Sequence, residues 1–412
     1  MMNVKDIVAR FEYIEGQRDN WNNHYQELAD YMLPRKADVV KKRSRGEKRM
    51  ELIFDGTALQ AVDLLSSSLH GMLTSGATPW FHLTMKDEEL GRDEEVQRWL
   101  EDSSQRMMRA FTMSNFETEV HEMYVDLVVF GTGCMFVEMD EKTLRFSTRH
   151  ISEFYVTEDQ YGIVDTVFRK YELPARQAVQ RFGIDNVGNF IARTFEKKPD
   201  ENVEILHVVM PRKDRDPTKQ DNKNMPFASM YICLETKMIL AESGFQELPY
   251  VVPRFLKATG EVMGRSPAMV ALPDVKMINL MSKTIIQAAQ KMIDPPLLVP
   301  DDGFLLPIRT QPGGLNFYRS GSRDTITPLQ TGANIPIGLN MEEQRRTAIR
   351  SAFFVDQLLS GSTPNMTATE VMQRQEERMR VIGPVLGRLM NEMLRPLIDR
   401  AFALMLRADM LS

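Results

Sequence analysis

The run from Gly264 to Asp302, GRSPAMVALPDVKMINLMSKTIIQAAQKMIDPPLLVPDD, constrains this chain more than any other. Leu272, Val275, Ile278, Met281, Ile285, Ala289 and Met292 recur every three or four residues, the period of a helix. A second apolar row, Met277, Leu280, Thr284 and Ala288, lies beside the first, while Lys276, Asn279, Lys283, Gln287 and Gln290 leave one narrow polar strip. A helix so clothed needs packing partners on more than one side. Pro273 suits its start, where a missing amide costs little, and Pro295-Pro296 forbid continuation. About twenty residues between them predict roughly 30 Å of helix.

The segment that follows is as well punctuated. Leu297 to Pro336 carries Pro300, Pro307, Pro312, Pro328, Pro336, Gly313-Gly314, Gly321 and Gly332 around short runs such as Leu315 to Tyr318 and Thr325 to Thr327, the pattern of a small β-rich insert. A shorter helix is expected from about Met341 to Leu358, with Glu342 three and four residues before Arg345 and Arg346 and with Ile349 and Phe353 on its apolar face. Leu359 to Asn365 is a turn-rich break. Thr367 and Glu370 then form a capping box for a long helix striped by Met372, Met379, Ile382, Leu386, Leu389, Met393 and Leu397, with kinks expected at Pro384 and Pro396.

Upstream, Val4 to Met32 reads as one amphipathic helix ended by Pro34. Arg35 to Arg49 concentrates Arg35, Lys36, Lys41, Lys42, Arg43, Arg45, Lys48 and Arg49 against Asp38 and Glu47. That loop is either a nucleic-acid or partner patch or, as charge runs usually are, a solvated face. Asp55 suits the cap of a helix through Leu69 to near Gly76, and further helices are expected over Asp93 to Met113 and Glu117 to Val129. From Gly131 to Tyr171 short alternating runs predict strands, followed by a helix over Pro174 to Phe182 and strands over Val203 to Met210 and Met230 to Ile239. Pro211 to Pro226, polar except for Met225, reads as an exposed loop.

The chemistry of an enzyme is missing from the pattern. There is no GxxxxGK[ST] loop, and the six histidines, His24, His70, His82, His121, His150 and His207, are scattered without HExxH or ligand spacing. Cys134 and Cys233 stand far apart and fit a reduced, cytoplasmic-type protein. The first residues lack the apolar core of a signal peptide, and no run reaches membrane-spanning length. A net charge of −6 argues against a static nucleic-acid binder, though a channel through which a polyanion slides has reason to avoid tight phosphate contacts. With 412 residues, 43% of them hydrophobic, more than one domain is expected. The 29 methionines read as adaptable core and interface filler.

Taken in order, Gly264-Arg265-Ser266-Pro267, Ala271-Leu272-Pro273-Asp274, Asp294-Pro295-Pro296-Leu297, Pro312-Gly313-Gly314, Ile349-Arg350-Ser351-Ala352-Phe353-Phe354, Met366 to Val371 and Gly383 to Leu389 resemble the portal (head-to-tail connector) proteins of short-tailed, podovirus-type bacteriophages. Phe54-Asp55-Gly56-Thr57 through Trp80-Phe81 is similar to the amino-terminal signature of that family, so the resemblance covers nearly the whole chain. It implies an α+β, mainly helical portal fold assembling as a ring, expected to be a dodecamer at one capsid vertex of the virion after assembly in the host cytoplasm. On this resemblance residues 1–262 are the wing, 263–296 the first stem helix region, 297–337 the clip, 338–358 the second stem helix, 359–366 the tunnel loop and 367–412 the long kinked helix.

The implied partners are double-stranded DNA in non-specific transit, terminase, a tail adaptor, and the major capsid and scaffold proteins, with no cofactor, no metal and no membrane. Arg309, Asn316, Tyr318, Arg319 and Arg323 would be clip contacts for terminase or adaptor. Gln357, Leu358, Leu359, Ser360, Gly361, Ser362, Thr363, Pro364 and Asn365 would form the tunnel loop, which carries no positive charge. Lys276, Lys283, Lys291, Arg345, Arg346 and Arg350 are the candidate channel-facing cations, and ion pairing of the arginines with Glu342 and Glu343 is the open alternative. Family chains usually continue into a crown, whereas this sequence stops at Ser412, so the crown is either minimal or truncated. The competing readings are a tail adaptor ring protein, which would lack this order of parts, and a metal-dependent nuclease using acidic pairs such as Asp301-Asp302.

Overall fold

The computed structural model describes residues 3–42, 44, 46–87, 89–141, 143–219, 221–298, 327–329, 335–359 and 382–411. Arg309, Asn316, Tyr318, Arg319, Arg323, Asp301-Asp302, Ser360 to Asn365 and the capping box at Thr367 lie outside the described residues. Helices α1 (Val4–Gln17), α2 (Asp19–Met32), α3 (Thr57–Leu73), α4 (Glu94–Met113) and α5 (Phe116–Phe130) precede the strands. The long amino-terminal helix expected from periodicity is two. Arg18, φ −93° and ψ −6°, breaks it because its buried guanidinium turns inward to the carbonyls of Ile151 and Phe154.

Strands β1 (Met135–Asp140), β2 (Thr143–Thr148), β3 (Phe154–Glu158), β4 (Val164–Pro174), β5 (Asn202–Pro211), β6 (Phe227–Cys233), β7 (Met238–Phe245) and β8 (Tyr250–Val251) form two sheets. One is three-stranded in the order β2-β1-β8, and the other is the five-stranded antiparallel meander β3-β4-β5-β6-β7. Its two faces are buried by different helices, as alternation along a strand requires. Ile7, Val8 and Phe11 of α1 cover Phe168, Leu206 and Met230, while α6 (Ala175–Phe182) and α7 (Gly188–Lys197) cover Tyr171, Ile205 and Cys233. Helix α7 is absent from the sequence reading, although Val187 and Ile191 are buried one turn apart.

The main core joins α2, α3, α5 and the carboxy-terminal helix around Tyr25, Leu65, Tyr124, Phe130 and Leu389. Gly131 ends α5 in the left-handed region, φ +78°, with its amide on the Leu127 carbonyl at 3.0 Å, a glycine stop. The backbone of Gly264 packs directly against it.

The long helix of the opening run is α8, Pro267–Ile293. It begins six residues earlier than Pro273 because Ser266 is the cap: its hydroxyl accepts from the Met269 amide at 3.1 Å and donates to the Val129 carbonyl at 2.8 Å. Pro273 therefore lies inside the helix. Short strands β9 (Leu297–Leu298) and β10 (Thr327–Pro328) pair antiparallel and close the base of the insert. Helix α9 spans Ile335–Ala352, and Phe354 at φ +58° separates it from α10, Val355–Leu359, so the second helix starts earlier and breaks sooner than its pattern suggests. Gln357, Leu358 and Leu359, read as the start of a loop, are helical.

The last helix, α11, is α-helical over residues 382–389, widens to a π-turn over Met390–Leu394 and resumes as Arg395–Arg407. Pro396 explains the widening. Its ring and missing amide disfavour the regular bond to residue 392, and a π-turn lets the helix continue.

Candidate functional site

Helices α8 and α9 run antiparallel, as their contacts show: Asp274 meets Arg345, Ser282 meets Glu342, and Ile285 faces Gly338. The near end is buried along one face. Ala268, Ala271, Val275, Ile278 and Ser282 of α8 pack inward, and Ile349 of α9 and Phe353 just beyond its end are completely covered. Toward the far end burial fades: Ile286, Met292 and Ile293 of α8 and Ile337, Leu339 and Met341 of α9 are all exposed. The pair is therefore an arm, rooted in the core at one end and apolar but uncovered at the other.

Its root is locked by a polar knot. Asn279 accepts the amides of Phe54 and Asp55 at 2.6 and 3.0 Å and donates to the Val275 carbonyl at 2.8 Å. Asp55 accepts the Thr57 amide at 2.9 Å at the start of α3, and its second oxygen takes Arg346 at 3.0 Å. Burial would raise the Asp55 carboxyl, but the Thr57 and Arg346 hydrogen bonds outweigh it and hold it below its ordinary value. Glu342 is almost fully buried between the Ser282 hydroxyl at 2.6 Å and Arg346 at 3.2 Å.

The candidate cations fall into two groups. Arg345 pairs with Asp274 at 2.8 Å, Arg346 with Asp55, Glu342 and Glu343, and Arg350 with Glu343 at 3.2 Å. Lys276 pairs with Glu27 of α2 at 3.1 Å. Lys283 and Lys291 are exposed, and Lys283 stands 5.6 Å from the Phe54 ring. The basic loop after α2 is tied inward as well, by Arg35–Glu122 at 2.6 Å and Lys36–Asp126 at 2.7 Å, and closed on itself by Arg49–Asp38 at 2.6 Å.

Two features escaped the sequence reading. Arg254, fully buried, donates to both oxygens of Glu392 at 2.8 and 2.9 Å, to Glu158, and to the carbonyls of Gly162 and Val262. Arg388 joins Glu392 at 2.7 Å, so the π-turn of α11 is held by two arginines. Glu247 does the same further along, taking Arg400 and Arg407 at 2.7 Å. Partners 138 residues apart leave no periodic signal. Among the described residues no group of three or more His, Cys, Asp or Glu is placed to hold a metal ion, and no helix is long and apolar enough to cross a membrane.

These features define an α+β protein with a projecting, partly uncovered two-helix arm. The family model for the bacteriophage head to tail connecting protein matches residues 4–412, and the chain belongs to that family. It is 33% identical over 418 aligned residues to the probable portal protein of Bordetella phage BPP-1, covering 99% of this chain and 75% of that protein. To the portal protein of Salmonella phage epsilon15 it is 33% identical over 417 residues, 98% of this chain and 75% of that one. To the portal protein of Enterobacteria phage T3 it is 21% identical, with coverage of 95% and 72%. The resemblance on which the sequence reading rests is thus borne out at the level of the family.

Proposed function

We propose that this chain is a portal subunit: copies of it close into a ring at one capsid vertex, through which DNA is packaged, retained and ejected and to which the tail attaches. The uncovered apolar far end of the α8–α9 arm carries the reading on the structural side. In a lone subunit that surface faces water, whereas in a ring the arms of neighbours would cover it. Similarity to the portal proteins of two phages, over nearly all of this chain and 75% of each of theirs, supports the same conclusion.

In this reading α8 and α9 are the stem, residues 297–337 the clip that meets terminase and later the adaptor, and residues 359–366 the tunnel loop. The ring is expected to hold twelve copies. Lys283 and Lys291, exposed on the arm, are the better candidates to face DNA, since the three arginines and Lys276 already have carboxylate partners within the subunit. The role is structural rather than catalytic.

Native mass spectrometry followed by negative-stain imaging tests the proposal. A closed ring near twelve subunits with a central hole supports it, and a well-behaved dimer that buries the arm overturns it. Deleting Ser360 to Thr363 should leave the ring intact while impairing packaging or DNA retention, and loss of the ring would assign that segment to assembly instead.

A further inference from the structure

The turn between β3 and β4 holds two apolar side chains out in water: Tyr161 is 78% exposed and Ile163 63%. The turn that presents them is nevertheless fixed. The Asp159 carboxylate accepts the amides of Tyr161 at 2.8 Å and Ile163 at 2.9 Å, and the Asp159 amide donates to the Ile163 carbonyl at 2.8 Å. From beneath, the buried guanidinium of Arg254 donates to the Gly162 carbonyl at 3.0 Å. Glu158, at the foot of the turn, takes both Arg254 and Lys257. A knob ordered in advance loses little freedom when it docks.

The turn is also tied to the root of the arm. The same Arg254 guanidinium donates to the Val262 carbonyl at 3.2 Å, in the segment that leads into α8. Leu256, itself exposed, bonds Arg265 in both directions at 3.2 and 2.7 Å, and Ser266 then caps the helix. Val270 stands exposed in the first turn of α8, at the start of an apolar stripe that continues through Met277 and Leu280. The knob is therefore anchored at the rooted end of that stripe. Its charge does not favour a polyanion, since Lys257 is already taken by Glu158 and Asp159 adds a negative charge. An aromatic and an aliphatic side chain on a convex tip call instead for a recess in a protein. A knob and a recess are different surfaces, and contacts between different surfaces are the ones that close a ring.

We propose that the β3–β4 turn is a second contact between neighbouring copies of this chain, with Tyr161 and Ile163 of one copy seated against the body of the next while the arms meet along α8. The inference rests on the ring reading and adds to it. Contact between arms alone would leave two bodies free to pivot about that seam, and a rigid peg at its rooted end fixes the angle between them.

Photo-cross-linking of the whole protein tests it. With Tyr161→p-benzoylphenylalanine, irradiation of the large species should give a covalent dimer of chains on a denaturing gel, whereas the same change at Tyr13 of α1, also well exposed, should give none. The paired substitution Tyr161→Ser with Ile163→Ser should raise the protein concentration at half assembly about tenfold, as the loss of a buried anchor predicts, with the melting temperature of the subunit unchanged. Rings that yield no dimer from position 161, or yield one equally from position 13, overturn the turn contact and leave the ring standing. Rings that form from the paired variant at the wild-type concentration do the same. A wild-type chain that forms no large species overturns the ring and the turn contact together.

Discussion

Arg346 Nε lies 3.0 Å from Asp55 Oδ2, joining α9 to the segment that enters α3, 291 residues away in the sequence. Arg346 also reaches Glu342 and Glu343 one turn back, and Asp55 sits where α3 begins. The contact therefore couples the root of the arm to the amino-terminal body. Together with Asn279, whose side-chain oxygen takes two backbone amides of the same segment, it makes the arm's angle a property of the core.

Asp55→Asn should destabilise the subunit by about 2 kcal/mol, the scale of a largely buried charge-assisted hydrogen bond. The Asp55 pKa is lowered in the folded state, so its contribution is present above the unfolded value of about 4 and fades as pH falls through the lower folded value. Denaturation curves of wild type and variant should differ at neutral pH and converge in acid. A gap that persists unchanged at the lowest pH would show that the carboxylate charge is not what matters.

Glu392→Gln removes the charge that faces a fully buried Arg254, leaving it Glu158 and two carbonyls. Breaking one side of a buried pair costs about 3–5 kcal/mol. Because Glu392 sits in the π-turn and also holds Arg388, hydrogen exchange should quicken along Arg395–Arg407 more than in α4. Equal quickening in both would mean global unfolding rather than release of α11.

Local pattern made most of the helices and strands legible, because Phe11, Leu65, Phe111 and Ile278 recur at the spacing burial demands. Where the sequence reading slipped, a long-range contact decided. Arg18 breaks the first helix to reach carbonyls more than 130 residues away, and Ser266 starts α8 early by bonding Val129. The candidate site was half legible. The arginines of α9 could be placed on a helix, but their choice among Asp55, Asp274, Glu342 and Glu343 depends on how three helices meet. Arg254 gave no sign at all, since nothing in a lone arginine announces that it will be buried.

Gly131→Ala should abolish soluble folding. The residue sits at φ +78°, and an added Cβ would lie 2.5 Å from the Gly264 carbonyl oxygen. Backbone strain of about 1 kcal/mol or more adds to a clash with main chain that has no side chain to swing away. Gly260→Ala is the comparison: it has a similar φ, +82°, with nothing within 4 Å of the added Cβ, so it should lose only the strain. Similar melting temperatures for the two variants would show that the Gly131–Gly264 contact can relax.

Leu280→Glu separates folding from assembly. Leu280 is 66% exposed, and Val270 and Met277 share its side of α8, opposite the buried Ala271, Val275, Ile278 and Ser282. Within one subunit a charge there meets water, so stability should change by no more than about 0.5 kcal/mol. If neighbouring arms cover this stripe, the same charge is buried without a partner at every interface, which each copy in the ring would suffer. The variant should therefore melt like the wild type as a subunit yet fail to form the large species in native mass spectrometry. Normal rings from Leu280→Glu would mean that this side of α8 faces a lumen or solvent, and the contact between copies would have to be sought on the opposite flank of the arm, at Ile286 and Met341.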